Sequence, residues 1–253
     1  LLSVHYSAKN IMHIHVLKNV DLLAKVVAET LVQSIHHTLQ QQDHFSIVLS
    51  GGSTPKKLYE LLATEEYKNK IDWSRLYIFW GDERFVDFTD DRNNAKMAFD
   101  TLLDHVAVHR EQVYVMQTKN ITAESAANEY DSIVKHHLET KGNFDFVLLG
   151  MGDDGHTLSL FPGNANTIFE EKRQCISLWL PAQNMYRITL THAPVNNARQ
   201  IIFMVTGNNK AEVLKQVLHG KYEPVKYPSQ IIQATKGVLH WFTDEAAAAL
   251  LNK

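Results

Sequence analysis

Phe144-Asp145-Phe146-Val147-Leu148-Leu149-Gly150-Met151-Gly152-Asp153-Asp154-Gly155-His156-Thr157 is the stretch on which the reading of this chain turns. A nearly continuous apolar run has the signature of a strand covered on both faces. It ends in a turn with three glycines, two carboxylates and a histidine. Glycines there admit positive φ and let backbone approach a ligand closely. Asp154 and His156 lie two apart, a spacing that allows a carboxylate–imidazole pair at a strand end. Such a pair can set a histidine up as a general base.

The spacing Gly150-x-Gly152-x-x-Gly155 also fits a dinucleotide fingerprint, with Glu170 at about the distance of a ribose-binding acid. Three features oppose that reading. Asp153 and Asp154 would put negative charge where a pyrophosphate should sit. Pro162-Gly163 breaks any long helix whose N-terminus could hold phosphate. No second strand carrying the ribose acid is evident near Glu170.

Outward from this segment, apolar runs alternate with helical patterns. Strands are expected at Ile14–Leu17, Phe45–Leu49, Leu76–Trp80, Val113–Val115, Gln174–Leu180, Tyr186–Thr191, Gln200–Val205 and Val238–Phe242. Helices are expected from Asp21 to about Gln42, from Pro55, over Asn94–Leu103, from Thr122 to about Thr140, from Pro194, over Asn208–His219 and Pro228–Gln233, and from a Thr243 cap through Leu251. Gly81 to about Asn93 reads as a polar loop. The pattern predicts an α/β fold: a single domain with a mostly parallel, doubly wound Rossmann-like sheet, helices on both faces and a few additional strands. The domain is expected over 12–253, with residues 1–11 as an N-terminal extension.

The bulk figures narrow the function classes. The 253 residues are 45% hydrophobic, ordinary for a globular domain with a sizeable core. A net charge of −3 without a basic block argues against nucleic acid. No apolar run approaches a membrane span and no secretory signal is evident, so no membrane partner and a cytoplasmic location are expected. The single Cys175 excludes an intrachain disulfide framework and suits a reducing compartment. Histidines are frequent, but His13 and His15, His36-His37 and His136-His137 lack metal-ligand spacing, so no metal is expected.

In open α/β sheets ligands bind beyond the carboxyl ends of the strands, and polar groups cluster at four such ends. Ser50-Gly51-Gly52-Ser53-Thr54-Pro55 has the composition of an anion cradle at a helix start, or of a tight turn with a hydroxyl cap. Asp82-Glu83-Arg84 could orient a polar substrate or form local ion pairs in a solvated loop. Asp154 and His156 follow a third strand. Lys210 enters a helix start after Thr206-Gly207, where a cation conflicts with the helix dipole unless an anion lies nearby. Arg187 shares a strand face with Thr189 and Thr191. It suits either a two-pronged grip on phosphate or a surface ion pair.

Leu49-Ser-Gly-Gly-Ser-Thr-Pro55, Trp80-Gly-Asp-Glu-Arg-Phe-Val86 and Gly150-Met-Gly-Asp-Asp-Gly-His-Thr-Leu-Ser-Leu-Phe-Pro162 occur in that order. Together they resemble the 6-phosphogluconolactonase family, within the glucosamine-6-phosphate isomerase/deaminase superfamily, over nearly the whole chain from about Met12. Leu158 stands where lactonases usually carry alanine. Asn93-Asn94 replaces the usual Ser-Asn. The glutamate that deaminases carry after the histidine motif is missing.

The resemblance implies hydrolysis of 6-phospho-D-glucono-1,5-lactone to 6-phospho-D-gluconate, without metal or organic cofactor. It implies His156 as base, Asp154 as its partner favouring the protonated imidazole, and Arg84 at the sugar. Arg187 and Lys210 would lie near the phosphate with Gly51, Gly52, Ser53 and Thr54. Asp82 matches the acid that deaminases use as a base, and Asn94 is a further candidate contact. The expected partner is a small sugar-phosphate lactone, and the expected state a monomer or homodimer. The alternatives are a glucosamine-6-phosphate deaminase/isomerase and a non-catalytic sugar-phosphate-binding effector domain.

Overall fold

Five apolar residues in succession cannot leave either face of a strand in water, and in the computed structural model, which describes residues 11–251, the central strands are covered on both sides. The chain runs β1 (Ile11–Leu17), α1 (Val20–Leu39), β2 (Phe45–Leu49), α2 (Ser53–Leu62), α3 (Glu65–Lys68), β3 (Leu76–Trp80), β4 (Asp82–Arg84) and α4 (Asn94–Ala98). It continues through α5 (Ala123–Thr140), β5 (Phe146–Leu149), α6 (Ala165–Ile168), β6 (Cys175–Leu180), β7 (Met185–Leu190), α7 (His192–Asn196), β8 (Gln200–Val205), α8 (Ala211–His219) and β9 (Val238–Asp244).

Six strands form one parallel sheet in the order β1-β9-β8-β5-β2-β3. The ends of β8, β5, β2 and β3 therefore lie side by side. These are the four strands whose carboxyl ends carry the polar clusters. A second, antiparallel sheet has the order β4-β7-β6.

Buried polar groups lock the central strands in place. Asp145, 2% exposed, accepts hydrogen bonds from Ser46 N–H (2.8 Å) and Ser46 Oγ (3.0 Å), tying the approach to β5 onto β2. At the other end of β2, the buried Tyr59 hydroxyl accepts from Ser50 N–H (2.9 Å) and donates to the Ser50 carbonyl (2.8 Å). Tyr130 does the same for Trp80 at the end of β3 (2.8 and 3.2 Å). Each tyrosine satisfies two backbone groups where the ladder stops, so both strands end in fixed positions from which the following loops depart.

Four expectations need correction. Asp82–Arg84 is a strand, because the Gly81–Asn93 stretch first pairs with β7 before it loops. Val113 makes one parallel bridge to Ile78, and no strand forms over Val113–Val115. The helix expected from a Thr243 cap is absent: β9 runs on to Asp244, and residues 245–251 form turns. There the Asp244 carboxylate accepts from Ala247 N–H (2.8 Å), and Glu245 N–H extends the contact with β1 by bonding the Leu17 carbonyl (2.9 Å). Finally, β1 begins at Ile11, pairing with β9 along seven residues rather than four. The expected extension otherwise falls outside the described residues. Among these no helix is long and apolar enough to cross a membrane.

Candidate active site

The turn after β5 delivers the carboxylate–imidazole pair that its sequence suggested. Gly152 N–H bonds the His156 carbonyl (2.8 Å), Gly155 N–H bonds the Gly152 carbonyl (3.1 Å), and Thr157 Oγ1 donates to the Gly150 carbonyl (2.8 Å). Gly155 adopts φ +82°, the left-handed conformation that glycine supplies cheaply. Gly152 has a different reason: a Cβ there would lie 2.0 Å from His156 Nδ1. Inside this wrap, Asp154 Oδ1 stands 2.6 Å from His156 Nδ1 and also accepts from His156 N–H (3.0 Å). An ionised carboxylate only accepts, so Nδ1 is the donor of this bond and Nε2 is the ring nitrogen turned away from Asp154. Burial pushes the Asp154 carboxyl up, but the hydrogen bond and charge of His156 outweigh it and hold the group below its ordinary value.

Phe161 connects this pair to the second sheet. Its ring centre lies 4.5 Å from that of His156 and 5.8 Å from the Arg187 guanidinium carbon. Arg187 is buried, not a surface residue. It reaches Asp82 Oδ2 at 3.5 Å and donates to Gln183 Oε1 (2.7 Å). In the β4–β7 ladder Arg187 is the register partner of Arg84. Arg84 donates to the Arg92 carbonyl (2.9 Å). The Nε atoms of both arginines are buried without a partner among the described residues. Burial is the strongest influence on Arg187 and lowers its pKa, and the Arg84 charge acts in the same direction against Asp82.

The β2 loop offers an open helix start. Gly52, at φ +105°, precedes α2, whose first turn has neither a capping side chain nor an acidic residue. Thr54 Oγ1 lies 2.8 Å from Thr206 Oγ1, which sets this N-terminus against the loop after β8. In that loop Gly207 takes φ +97° and its N–H bonds both oxygens of Asp244 (3.1 Å each). Lys210 is ion-paired with Asp153, so the anion that relieves its conflict with the helix dipole comes from the β5 turn.

Two expected contact residues are occupied structurally. Asn94 is buried, donates to the Asp82 carbonyl (2.9 Å) and fills the space a Gly51 Cβ would need, 2.0 Å from its Oδ1. Asp82 accepts from Ser159 Oγ (2.7 Å), so its carboxylate faces a hydroxyl and a guanidinium.

Glu83, Ser159, Phe161 and Asp153 gained no role from the sequence. Glu83, 1% exposed, accepts from Arg84 N–H (2.8 Å), Asn94 N–H (2.7 Å) and Ala95 N–H (2.8 Å), fastening the polar loop at both ends. Burial pushes its carboxyl up to about 7 against those donors, and Asp82 adds to the rise. Nothing in the sequence marked Glu83 as buried, since two of its donors lie more than ten residues away. For Asp153 the signal was a second carboxylate beside the catalytic candidate.

Residues 18–241 match the family described as Glucosamine-6-phosphate isomerases/6-phosphogluconolactonase. A 6-phosphogluconolactonase of Nostoc sp. is 37% identical over 232 residues, covering 88% of this chain and 92% of that protein. One of Haemophilus influenzae is 34% identical over 220 residues, covering 86% and 91%. The solved structure of 6-phosphogluconolactonase from Trypanosoma cruzi superposes with a TM-score of 0.84 at 28% identity, covering 98% of this chain and all of the other. With the matched region running from the start of α1 into β9, the chain belongs to the glucosamine-6-phosphate isomerase/6-phosphogluconolactonase family.

Proposed function

We propose that this protein hydrolyses 6-phospho-D-glucono-1,5-lactone to 6-phospho-D-gluconate, the second step of the oxidative pentose phosphate pathway, with His156 as general base. The observation that carries the reading is the Asp154–His156 contact of 2.6 Å at the end of β5, on the rim that also carries Arg84, the open α2 N-terminus and Lys210. The lactonases among the relatives support the choice of substrate.

His156 Nε2 takes a proton from water as the water oxygen attacks the lactone carbonyl carbon. The carbonyl π pair moves to oxygen, and Arg84 stabilises the oxyanion, the N–H groups of Gly152, Gly155 and His156 being bonded within the turn. When that pair returns, the carbonyl carbon–ring oxygen bond breaks. The leaving oxygen takes the proton from Nε2, and the free base is restored. Asp154 holds the imidazole in one tautomer and faces its positive charge during the step. Arg187, Lys210 and the Gly51–Thr54 loop hold the phosphate away from the reacting bond, supplying orientation.

Asp82 is engaged by Ser159 and Arg187, which suits a positioning role more than that of a deaminase base. The same reading takes residues 12–253 as one catalytic domain, acting in the cytoplasm as a monomer or homodimer.

The test is lactone opening followed by acid release, with wild type, His156→Ala and a buffer blank, since the lactone also opens unaided. Acceleration by wild type alone is expected. No acceleration by folded wild type removes the reaction, and equal acceleration by His156→Ala removes the base.

A further inference from the structure

Lys210 is the residue on which the phosphate reading and the observed contacts diverge. Its side chain is 18% exposed and its ammonium group is already paired with Asp153, whose side chain is 66% exposed. The same Asp153 oxygen accepts from Asn209 Nδ2 (3.1 Å). One carboxylate from the β5 turn thus gathers two donors of the β8 loop. The bond to Lys210 holds the Asp153 carboxyl below its ordinary value, so it is charged at neutral pH. Asp154, the next residue, serves His156, so a single turn feeds both the reacting end and the phosphate end of the site.

We propose that Asp153 is a specificity-tuning latch: its carboxylate occupies Lys210 until a ligand phosphate replaces it. This rests on the phosphate assignment of Lys210 above. An incoming phosphate competes with an anion tethered beside the ammonium at an effective concentration on the order of millimolar or higher. The competition weakens binding of every phosphate-bearing ligand, product and free phosphate included, and leaves ligands without a phosphate unaffected. Release of a phosphorylated product is thereby favoured, because Asp153 recaptures Lys210 as the phosphate departs.

The experiment is titration calorimetry with inorganic phosphate on wild type, Asp153→Asn, Lys210→Ala and the double variant, with melting curves to establish folding. Asn keeps the size and the acceptor for Asn209 but removes the charge. Asp153→Asn is expected to bind phosphate about fivefold more tightly, the equivalent of a partly exposed ion pair. Lys210→Ala is expected to bind more weakly, and adding Asp153→Asn to it should bring no gain. Unchanged affinity in Asp153→Asn, with weakening in Lys210→Ala, overturns the latch and leaves the phosphate site standing. A gain that persists without Lys210 also overturns the latch, since Asp153 would then act by direct repulsion. Absence of binding in all four folded proteins removes both readings.

Discussion

Arg84 and Arg187 face one another across the β4–β7 ladder, two guanidinium groups at paired positions, each with an Nε that no described residue accepts from. Asp82 lies 3.5 Å from Arg187, and Glu83 also acts on that guanidinium. Like charges held together raise the free energy of the empty site, and an anion bound at the buried Arg187 lowers it. Inorganic phosphate is therefore expected to stabilise the folded protein. At ten times its dissociation constant the gain is about 1.4 kcal/mol, a rise of roughly 3–6 °C in Tm. Arg187→Met should abolish that rise; a melting series in which the variant responds like wild type would remove Arg187 from the anion site.

Asp154→Asn keeps the shape of the pair and loses its charge. The amide can present its N–H to the ring and favour the wrong tautomer, so kcat should fall by roughly 10²–10⁴. KM should change little, because the phosphate contacts lie elsewhere. Steady-state kinetics on the lactone separate the two parameters, and a KM effect with normal kcat contradicts the assignment. The wild-type carboxyl is held below its ordinary value of 3.8, so its stabilising contribution is present above that pH. It is lost as pH falls through the lowered folded value.

Gly152→Ala tests the same pair by steric means. The added methyl would meet His156 Nδ1 at 2.0 Å and Asp154 Oδ1 at 2.6 Å, so the imidazole must move. Activity is expected to fall at least tenfold, the effect of a misplaced general base. Near-normal kcat in the purified variant would show that the base is not where the structure puts it.

Glu83→Gln addresses the loop. The Glu83 carboxyl rises from 4.5 to about 7 on folding. Between those values the folded state binds the extra proton, so this group's contribution to stability declines as pH rises through the window. The stability advantage of wild type over Glu83→Gln should therefore be largest near the lower value and shrink toward the upper one. Urea denaturation of both proteins across that range checks the sign, and an advantage that grows with pH contradicts it.

The parallel sheet was legible because β2, β3, β5 and β8 are short, predominantly apolar runs, each followed by glycine or polar residues. The His156–Asp154 pair was legible because both partners sit within three residues of one another. Where tertiary pairing decides, sequence reading failed. Asp-Glu-Arg looks like a solvated loop, yet β7 makes it strand β4. The alanine run after Asp244 has high helix propensity, yet the contact of Glu245 N–H with Leu17 and the buried Ala247 tie it into turns. Glu83 gave no sign of its role because two of its donors, Asn94 and Ala95, lie on the far side of the loop. Lys210 called for an anion, and nothing local identified Asp153, which lies 57 residues earlier.

The two sheets divide the site between them. His156, Lys210 and the open α2 N-terminus ride on the central sheet, and Arg84 and Arg187 on the small antiparallel one. The seam is short: Leu190 N–H bonds the Gly81 carbonyl (2.8 Å), Ser159 N–H bonds Thr189 Oγ1 (3.1 Å), and Ser159 Oγ bonds Asp82 (2.7 Å). Ser159 thus ties the strands that carry the guanidinium groups to the segment that follows the imidazole. Because its hydroxyl also holds Asp82, which pairs with Arg187, one small side chain joins the two halves of the site.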